Sequence, residues 1–175
     1  MLNHEPSSHG HRGFTLIELL LYISIVGGLL TTVSLFFATV MDARVKNQSI
    51  IEVNQQGVAT MDYITSTIRN ATGITAPSAG ASAASLTLTV STGSLSPTVF
   101  DLNGAALQAK EGAGNAIPLT NSKVQISNLS FTNVSRTNTP GIVRVSFTIS
   151  RINPNGKNEY DYQKTFTSSA ALRWP

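Results

Sequence analysis

The feature that most limits how this chain can fold is an apolar run that begins at Phe14 and ends at Met41. Between Leu19 and Met41 the run contains no charged residue. Wound as an α-helix, residues 19–41 span about 34 Å at roughly 1.5 Å per residue, which is enough to cross the hydrocarbon core of a bilayer. The sequence therefore predicts a membrane segment close to the N-terminus.

Three interpretations of this segment compete. A secretory signal peptide has an apolar core of roughly 7–15 residues, so the run is too long and Glu18 lies where that core should be uncharged. A plain membrane anchor explains the length but not Glu18, because a charged side chain at membrane depth costs about 2.5–3.5 kcal/mol. The third interpretation is an anchor in which the carboxylate has a specific partner.

The third interpretation rests on a resemblance. After Arg12 the chain reads Gly13-Phe14-Thr15-Leu16-Ile17-Glu18 and then continues into the apolar run. This pattern resembles the prepilin peptidase signal of type IV pilins and pseudopilins. The resemblance implies a leader peptide at residues 1–13, cleavage after Gly13, methylation of the new N-terminal residue Phe14, and an assembly role for Phe14 and Glu18.

The same resemblance implies partners and a location. The partners would be the prepilin peptidase, other pilin or pseudopilin subunits, and an inner-membrane assembly platform. The chain would cross the cytoplasmic membrane once, with its head outside the cytoplasm, and would then enter an extracytoplasmic filament. Cleavage would create an amino group at Phe14, one helical turn from Glu18, and the two charges could neutralise each other where either alone is costly.

Beyond the membrane segment the helical pattern continues. No proline occurs between Pro6 and Pro77. An apolar stripe at helical spacing consists of Ile51, Val58, Met61, Ile64 and Ile68. Gly73 is a plausible helix stop. We therefore predict a transmembrane and stem helix over residues 14–73.

Two features favour a minor pilin or a pseudopilin over a major pilin. Many major pilins have a proline at the twenty-second residue of the processed chain, and this position is Leu35 here. The stretch from Gln55 to Ile64, which runs on into Ile68-Arg69-Asn70-Ala71, is also similar to the end of the stem in J-type pseudopilins and W-type minor pilins.

The remainder, residues 74–175, is predicted to be a β-rich head. A Gly/Ala/Ser/Pro connector over residues 74–84 is followed by alternation of apolar and polar residues, which is typical of strands with one buried face. The predicted strands lie near residues 86–90, 98–102, 105–109, 124–134 with an irregularity near Asn128, 143–149, and 160–166 after a Pro154-Asn155-Gly156 turn. The predicted fold class is α+β, with a long N-terminal hydrophobic helix packed on an antiparallel sheet.

The residues that carry most catalytic chemistry are scarce. All three histidines (His4, His9 and His11) lie in the leader, and the chain has no cysteine. The processed chain would lack the usual zinc and copper ligands and the commonest general base. Glu159 and Asp161 are more typical of a solvated turn than of a catalytic pair. We therefore predict no enzyme activity, no cofactor and no metal site.

A second functional hypothesis remains open. Six basic residues lie in the C-terminal part of the chain: Arg136, Arg144, Arg151, Lys157, Lys164 and Arg173. A mildly basic surface could attract polyanions. The chain could thus be a membrane-tethered module whose head binds nucleic acid, a sugar or a surface.

Overall fold

The structure, a computed structural model, describes residues 13–173. The predicted leader, apart from Gly13, lies outside the described residues. The chain divides after Asp42 into two compact units. Each unit is described by itself below.

A single α-helix, α1, runs from Leu16 to Asn70 and contributes residues to both units. Residues 43–70 belong to the second unit, which we call the head unit. The helix ends at Asn70 because Ala71 is buried and pairs with Val90, so the chain continues directly as a strand. Gly73, the predicted helix stop, lies inside that strand.

Within residues 71–173 the strands are β1 (Ala71–Ala76), β2 (Ser82–Ala83), β3 (Leu86–Val90), β4 (Thr98–Asn103), β5 (Ala106–Glu111), β6 (Ile117–Pro118), β7 (Val124–Asn133), β8 (Ile142–Arg151) and β9 (Gln163–Ala171). In this part of the chain they form two sheets, ordered β1-β3-β4-β5-β6 and β2-β7-β8-β9. Every pairing in both sheets is antiparallel. The predicted α+β class is therefore confirmed.

The two sheets and helix residues 43–70 share one hydrophobic core. The rings of Phe100 on β4 and Phe131 on β7 join the sheets, with their centroids 6.5 Å apart. The Tyr63 ring meets Phe100 edge-on at 6.1 Å. At the second sheet, Gly57 of the helix lies directly against the ring of Phe166 on β9. The helix therefore covers the inner faces of both sheets.

The buried face of the helix differs in part from the predicted stripe. Met61, Ile64 and Ile68 are buried as predicted, but Ile51 and Val58 remain 53% and 51% exposed. In their place the core receives Val53 and three small residues: Ser49, Gly57 and Thr60. The prediction was wrong at these two positions because it ranked residues by hydrophobicity, whereas close approach of a helix to a sheet favours small side chains.

The predicted strands are largely confirmed, except that the last one runs over Gln163–Ala171 and not over residues 160–166, because Asn158–Tyr160 form a 3₁₀ turn. The ladder between β7 and β8 shifts register between Ser127 and Ser130, and Asn128 has a positive φ of 53°. Gly104, at the tip of the hairpin between β4 and β5, has φ 62° and so adopts a conformation that glycine tolerates best. Strands β1 and β2 occupy residues 74–76 and 82–83 of the predicted connector, so the prediction was wrong at those positions.

Candidate processing and assembly site

The Gly13–Phe14 peptide bond lies in exposed backbone before the helix begins. Residues 13–15 are in neither helix nor strand, and all three are exposed. A Cβ atom placed on Gly13 would meet nothing within 4 Å. The Phe14 side chain is 73% exposed and lies edge-on to Tyr22, with ring centroids 6.0 Å apart. Among residues 13–173, nothing covers this bond.

Thr15 and Glu18 form the start of the helix. The backbone N–H of Glu18 donates to Thr15 Oγ1 at 3.3 Å, and the N–H of Leu19 donates to the Thr15 carbonyl at 3.2 Å. These are the bonds of a helix N-cap. Glu18 lies in the first turn, where the helix dipole favours a negative charge.

This capping contact was missed by the sequence analysis, although a signal for it was present. A Ser or Thr followed three residues later by Glu, just before an apolar run, is the pattern of a capping box. Thr15 and Glu18 match it. The pattern explains a glutamate at position 18 by helix capping, in addition to any role with a partner chain.

The serine and threonine hydroxyls in the apolar part of the helix all bond the helix backbone. Within residues 16–42 each Ser or Thr side chain donates to a backbone carbonyl three or four residues earlier, at 2.8–2.9 Å. The donors are Ser24, Thr31, Thr32, Ser34 and Thr39. Because an unsatisfied hydroxyl is costly in hydrocarbon, these bonds let the segment enter an apolar environment.

The apolar side chains of this segment are exposed on every side, from Leu16 to Met41. By length and composition, α1 is the helix in residues 13–173 that could cross a membrane. The predicted membrane helix is confirmed at this level. Processing, methylation and the filament stay predictions.

In the head unit, polar contacts join the helix to both sheets. Asn121 Nδ2 donates to a Glu52 carboxylate oxygen, and Lys164 Nζ donates to Asn54 Oδ1 at 2.7 Å. Tyr63 Oη donates to Glu111 Oε1 at 2.9 Å. Burial, followed by this hydrogen bond and the Glu111 charge, raises the pKa of Tyr63 above its ordinary value of 10.0. These contacts attach helix residues 43–70 to the sheets of the head unit.

Two of the basic residues behind the nucleic-acid hypothesis lie at the junction of helix and sheet. Arg151 Nη1 lies 3.9 Å from Glu52 Oε2, and its guanidinium stacks over Tyr160 at 5.7 Å. Lys164 is bonded to Asn54, as described above, and its ammonium lies 5.2 Å from the Phe166 ring centre. Each of these two side chains therefore already has partners within the head unit. Nucleic-acid binding stays a prediction.

Glu159 and Asp161 do not share a strand. Glu159 lies in a 3₁₀ turn, Asn158–Tyr160, and Asp161 follows it. Nearby, Asn153 Nδ2 donates to the Lys157 carbonyl at 2.7 Å, and the Lys157 N–H donates back to Asn153 Oδ1 at 2.9 Å. Among residues 13–173, no group of three or more His, Cys, Asp or Glu side chains could hold a metal ion.

No protein-family model, curated protein or solved structure matches this chain.

Proposed function

We propose that this chain is a minor pilin or pseudopilin, a structural subunit of a type IV pilus, type II secretion or competence filament. Prepilin peptidase would cut it after Gly13 and methylate Phe14. One observation carries the proposal: the six-residue motif ending at Glu18 stands at the start of a long apolar helix. Gly13, Phe14 and Glu18 would each have a use in processing or assembly.

Cleavage after Gly13 is supported by the exposure of the bond. A protease binds its substrate as extended backbone, and residues 13–15 are not helical. Gly13 has no side chain to limit close approach to a catalytic cleft. Leu16 begins the helix, so the bond to be cut lies just outside the segment that enters the membrane.

Assembly is supported by the chemistry at the helix start. Cleavage would leave an ammonium group at Phe14, close in sequence to the Glu18 carboxylate. In hydrocarbon each charge alone is costly, and pairing within a subunit or between neighbours offsets that cost. Residues 16–41 expose apolar side chains on every side, and these need lipid before assembly and other stems after it.

The intact mass of the protein extracted from its native membrane tests the processing step. We expect a chain that begins at Phe14 and carries one added methyl group. Replacement Gly13→Val should leave the precursor uncut, because a branched side chain would crowd the protease cleft. The control Gly28→Ala changes a helical glycine with open space around it and should be cut normally. Normal cutting of the Gly13 variant would refute the proposal.

A second variant separates assembly from processing. Glu18→Ala should be cut and methylated but should enter filaments poorly, because the Phe14 ammonium loses its partner. The control is Asp42→Ala, which removes a carboxylate at the other end of the apolar segment. Equal amounts of the two variants in sheared filaments would contradict the assembly role of Glu18.

A further inference from the structure

Three segments of the head unit meet where helix α1 ends. The Arg173 N–H donates to the Arg69 carbonyl at 3.0 Å, so the residues after β9 lie against the last turn of the helix. The Leu172 N–H donates to the Gly141 carbonyl at 2.8 Å, which joins the same residues to the loop between β7 and β8. We call this region the arginine end; it consists of residues 69–70, 134–144 and 169–173.

Each of these segments carries arginine. The four side chains are all exposed: Arg69, Arg136, Arg144 and Arg173. Arg144 lies on the outer face of its sheet, because the residues before and after it on β8 are fully buried. Among residues 13–173 none of the four forms an ion pair, since Glu52 makes both pairs found there, with Lys123 and Arg151.

Three carboxylates of the head unit lie at its opposite end. Glu52 is 3.9 Å from Arg151, the last residue of β8. Glu159 and Asp161 lie in the connection from β8 to β9. That connection is separated from the loop that carries Arg136 by the whole of β8, whose 10 residues span about 30 Å. This distance exceeds the Debye length of about 8–10 Å at physiological salt, so these carboxylates do not neutralise the arginine end.

The other three carboxylates of the head unit are nearer. Asp101 and Glu111 each accept a side-chain hydrogen bond, at 2.7 and 2.9 Å, and Lys110 lies next to Glu111 in β5. Asp62 lies seven residues before Arg69 on α1, about 10 Å away along the helix axis. Within residues 43–173, no carboxylate is therefore bonded to the four arginines, and the arginine end has a net positive charge.

The four arginines are spread out, which indicates the size of the ligand. Arg144 stands opposite Ser169, and Arg173 follows four residues later, about 13 Å along the strand direction at roughly 3.3 Å per residue. A single small anion would reach one or two of these guanidinium groups at most. Duplex DNA has one negative charge per about 1.7 Å of its axis, so a stretch of the same length presents several phosphates at once.

The type of side chain also suits phosphate. A guanidinium group is planar, is always charged, and can donate two parallel N–H bonds to one phosphate. Lysine supplies five of the eleven basic residues of residues 43–173, and none of the five lies in the arginine end. Composition alone therefore does not account for four arginines in this region.

We propose that the arginine end binds double-stranded DNA by its phosphate backbone, through Arg69, Arg136, Arg144 and Arg173. Phosphates carry no sequence information, so binding should be independent of base sequence and should be weakened strongly by salt. The inference goes beyond the proposed function and does not depend on it, because every residue that carries it lies in the head unit.

Binding of a short, fluorescently labelled DNA duplex to the full-length chain in nonionic detergent tests the proposal. Fluorescence anisotropy gives the affinity at a series of salt concentrations. Each phosphate contact contributes about −0.9 to the slope of log affinity against log salt, so four contacts give about −3.6. The affinity should then fall about a hundredfold between about 50 and 200 mM salt. Two duplexes of unrelated sequence should bind within about twofold of each other.

Glutamine substitutions locate the contact, because they remove the charge and keep a polar side chain. Each single variant, such as Arg136→Gln, should reduce the magnitude of the salt slope by about 1. The variant with all four arginines replaced should bind at least about tenfold more weakly at about 50 mM salt. The matched control removes four positive charges outside the arginine end: Arg44→Gln, Lys46→Gln, Lys123→Gln and Lys157→Gln. It should leave the affinity within about threefold of the parent.

Four outcomes decide the matter, with circular dichroism and urea unfolding showing that each variant is folded. Equal losses in the two quadruple variants would show that net charge alone attracts DNA and would overturn the site. No binding by the folded parent at about 50 mM salt would overturn it as well. Tighter binding of alginate, a carboxylated polysaccharide, than of DNA at equal charge concentration would also overturn the proposal. A chain that binds DNA at the arginine end but is not cut after Gly13 would refute the filament proposal alone.

Discussion

The two parts of α1 have the same backbone and opposite surfaces. Residues 16–42 expose large apolar side chains all round the helix, and their serine and threonine hydroxyls bond the helix backbone. Residues 43–70 bury one face, which includes Ser49, Gly57 and Thr60, and direct charged residues elsewhere. Both parts are helical because each residue bonds the turn before it. The two parts therefore differ only in their side chains: small residues on one face suit residues 43–70 to packing on a sheet, and large apolar residues all round suit residues 16–42 to an apolar medium.

The comparison also shows that hydrophobicity has different meanings in the two parts. In the first part, apolar side chains lie on every side of the helix, so hydrophobicity suits the whole segment to an apolar medium. In the second part the shape of the sheet decides, because Ile51 and Val58 stay exposed while Gly57 is buried. Substitutions matched between the two parts can break or sharpen this distinction.

The largest effect should come from the buried face of the second part. Ile64 is fully buried, whereas Ile51 on the same helix is 53% exposed. We expect Ile64→Ala to lower the free energy of unfolding of the head by about 2–5 kcal/mol. Ile51→Ala should change it by less than about 0.5 kcal/mol. Urea unfolding of the full chain in detergent, followed by circular dichroism, measures both; equal losses would contradict the observed helix face.

A charge in the first part should have the next largest effect. Leu29 lies near the middle of the apolar run, and Leu29→Asp should weaken membrane insertion by about 2.5–3.5 kcal/mol. Val58→Asp places the same charge at an exposed position of the second part and should leave insertion unchanged. Alkaline extraction of membranes, followed by immunoblotting, measures the anchored fraction. Equal anchoring of both variants would contradict a membrane role for residues 16–41.

The smallest effect concerns the glycine at the helix–sheet contact. A Cβ atom at Gly57 would overlap the Phe166 ring, and overpacking costs about 1–3 kcal/mol. Alanine restores up to about 1 kcal/mol of helix propensity. Gly57→Ala should therefore destabilise the head by about 1 kcal/mol net.

The Phe166→Ala background provides the matched control for this contact. Without the ring, Gly57→Ala should stabilise the head by about 0.5–1 kcal/mol, because only the propensity term remains. A double-mutant cycle measured by urea unfolding gives the coupling between the two positions. A cycle with no coupling would show that the helix does not approach β9 at this point.

Much of the head was predictable from alternation. The strands that contain Leu88, Phe131 and Phe147 were identified because one face is apolar and the other polar. The bulge at Asn128 was visible as a break in that alternation. β1 was not predictable, since Ala71–Ala76 has little alternation and becomes a strand by pairing with β3.

At the candidate site the sequence carried nearly all the information. Gly13, Phe14 and Glu18 were identified from their order and from the apolar run behind them. The structure added the exposure of the Gly13–Phe14 bond and the Thr15 cap. These features are local, because a helix start depends on a few adjacent residues.

The sequence by itself determined the apolar segment, the helix that carries it and the face of most strands, since each follows from the order of neighbouring residues. The tertiary structure decided which face of residues 43–70 is buried, where the helix ends, and which arginines meet at the arginine end. Those outcomes depend on contacts between residues far apart in the chain, such as Gly57 with Phe166 and Ala71 with Val90. No local pattern encodes which small residue will meet which ring.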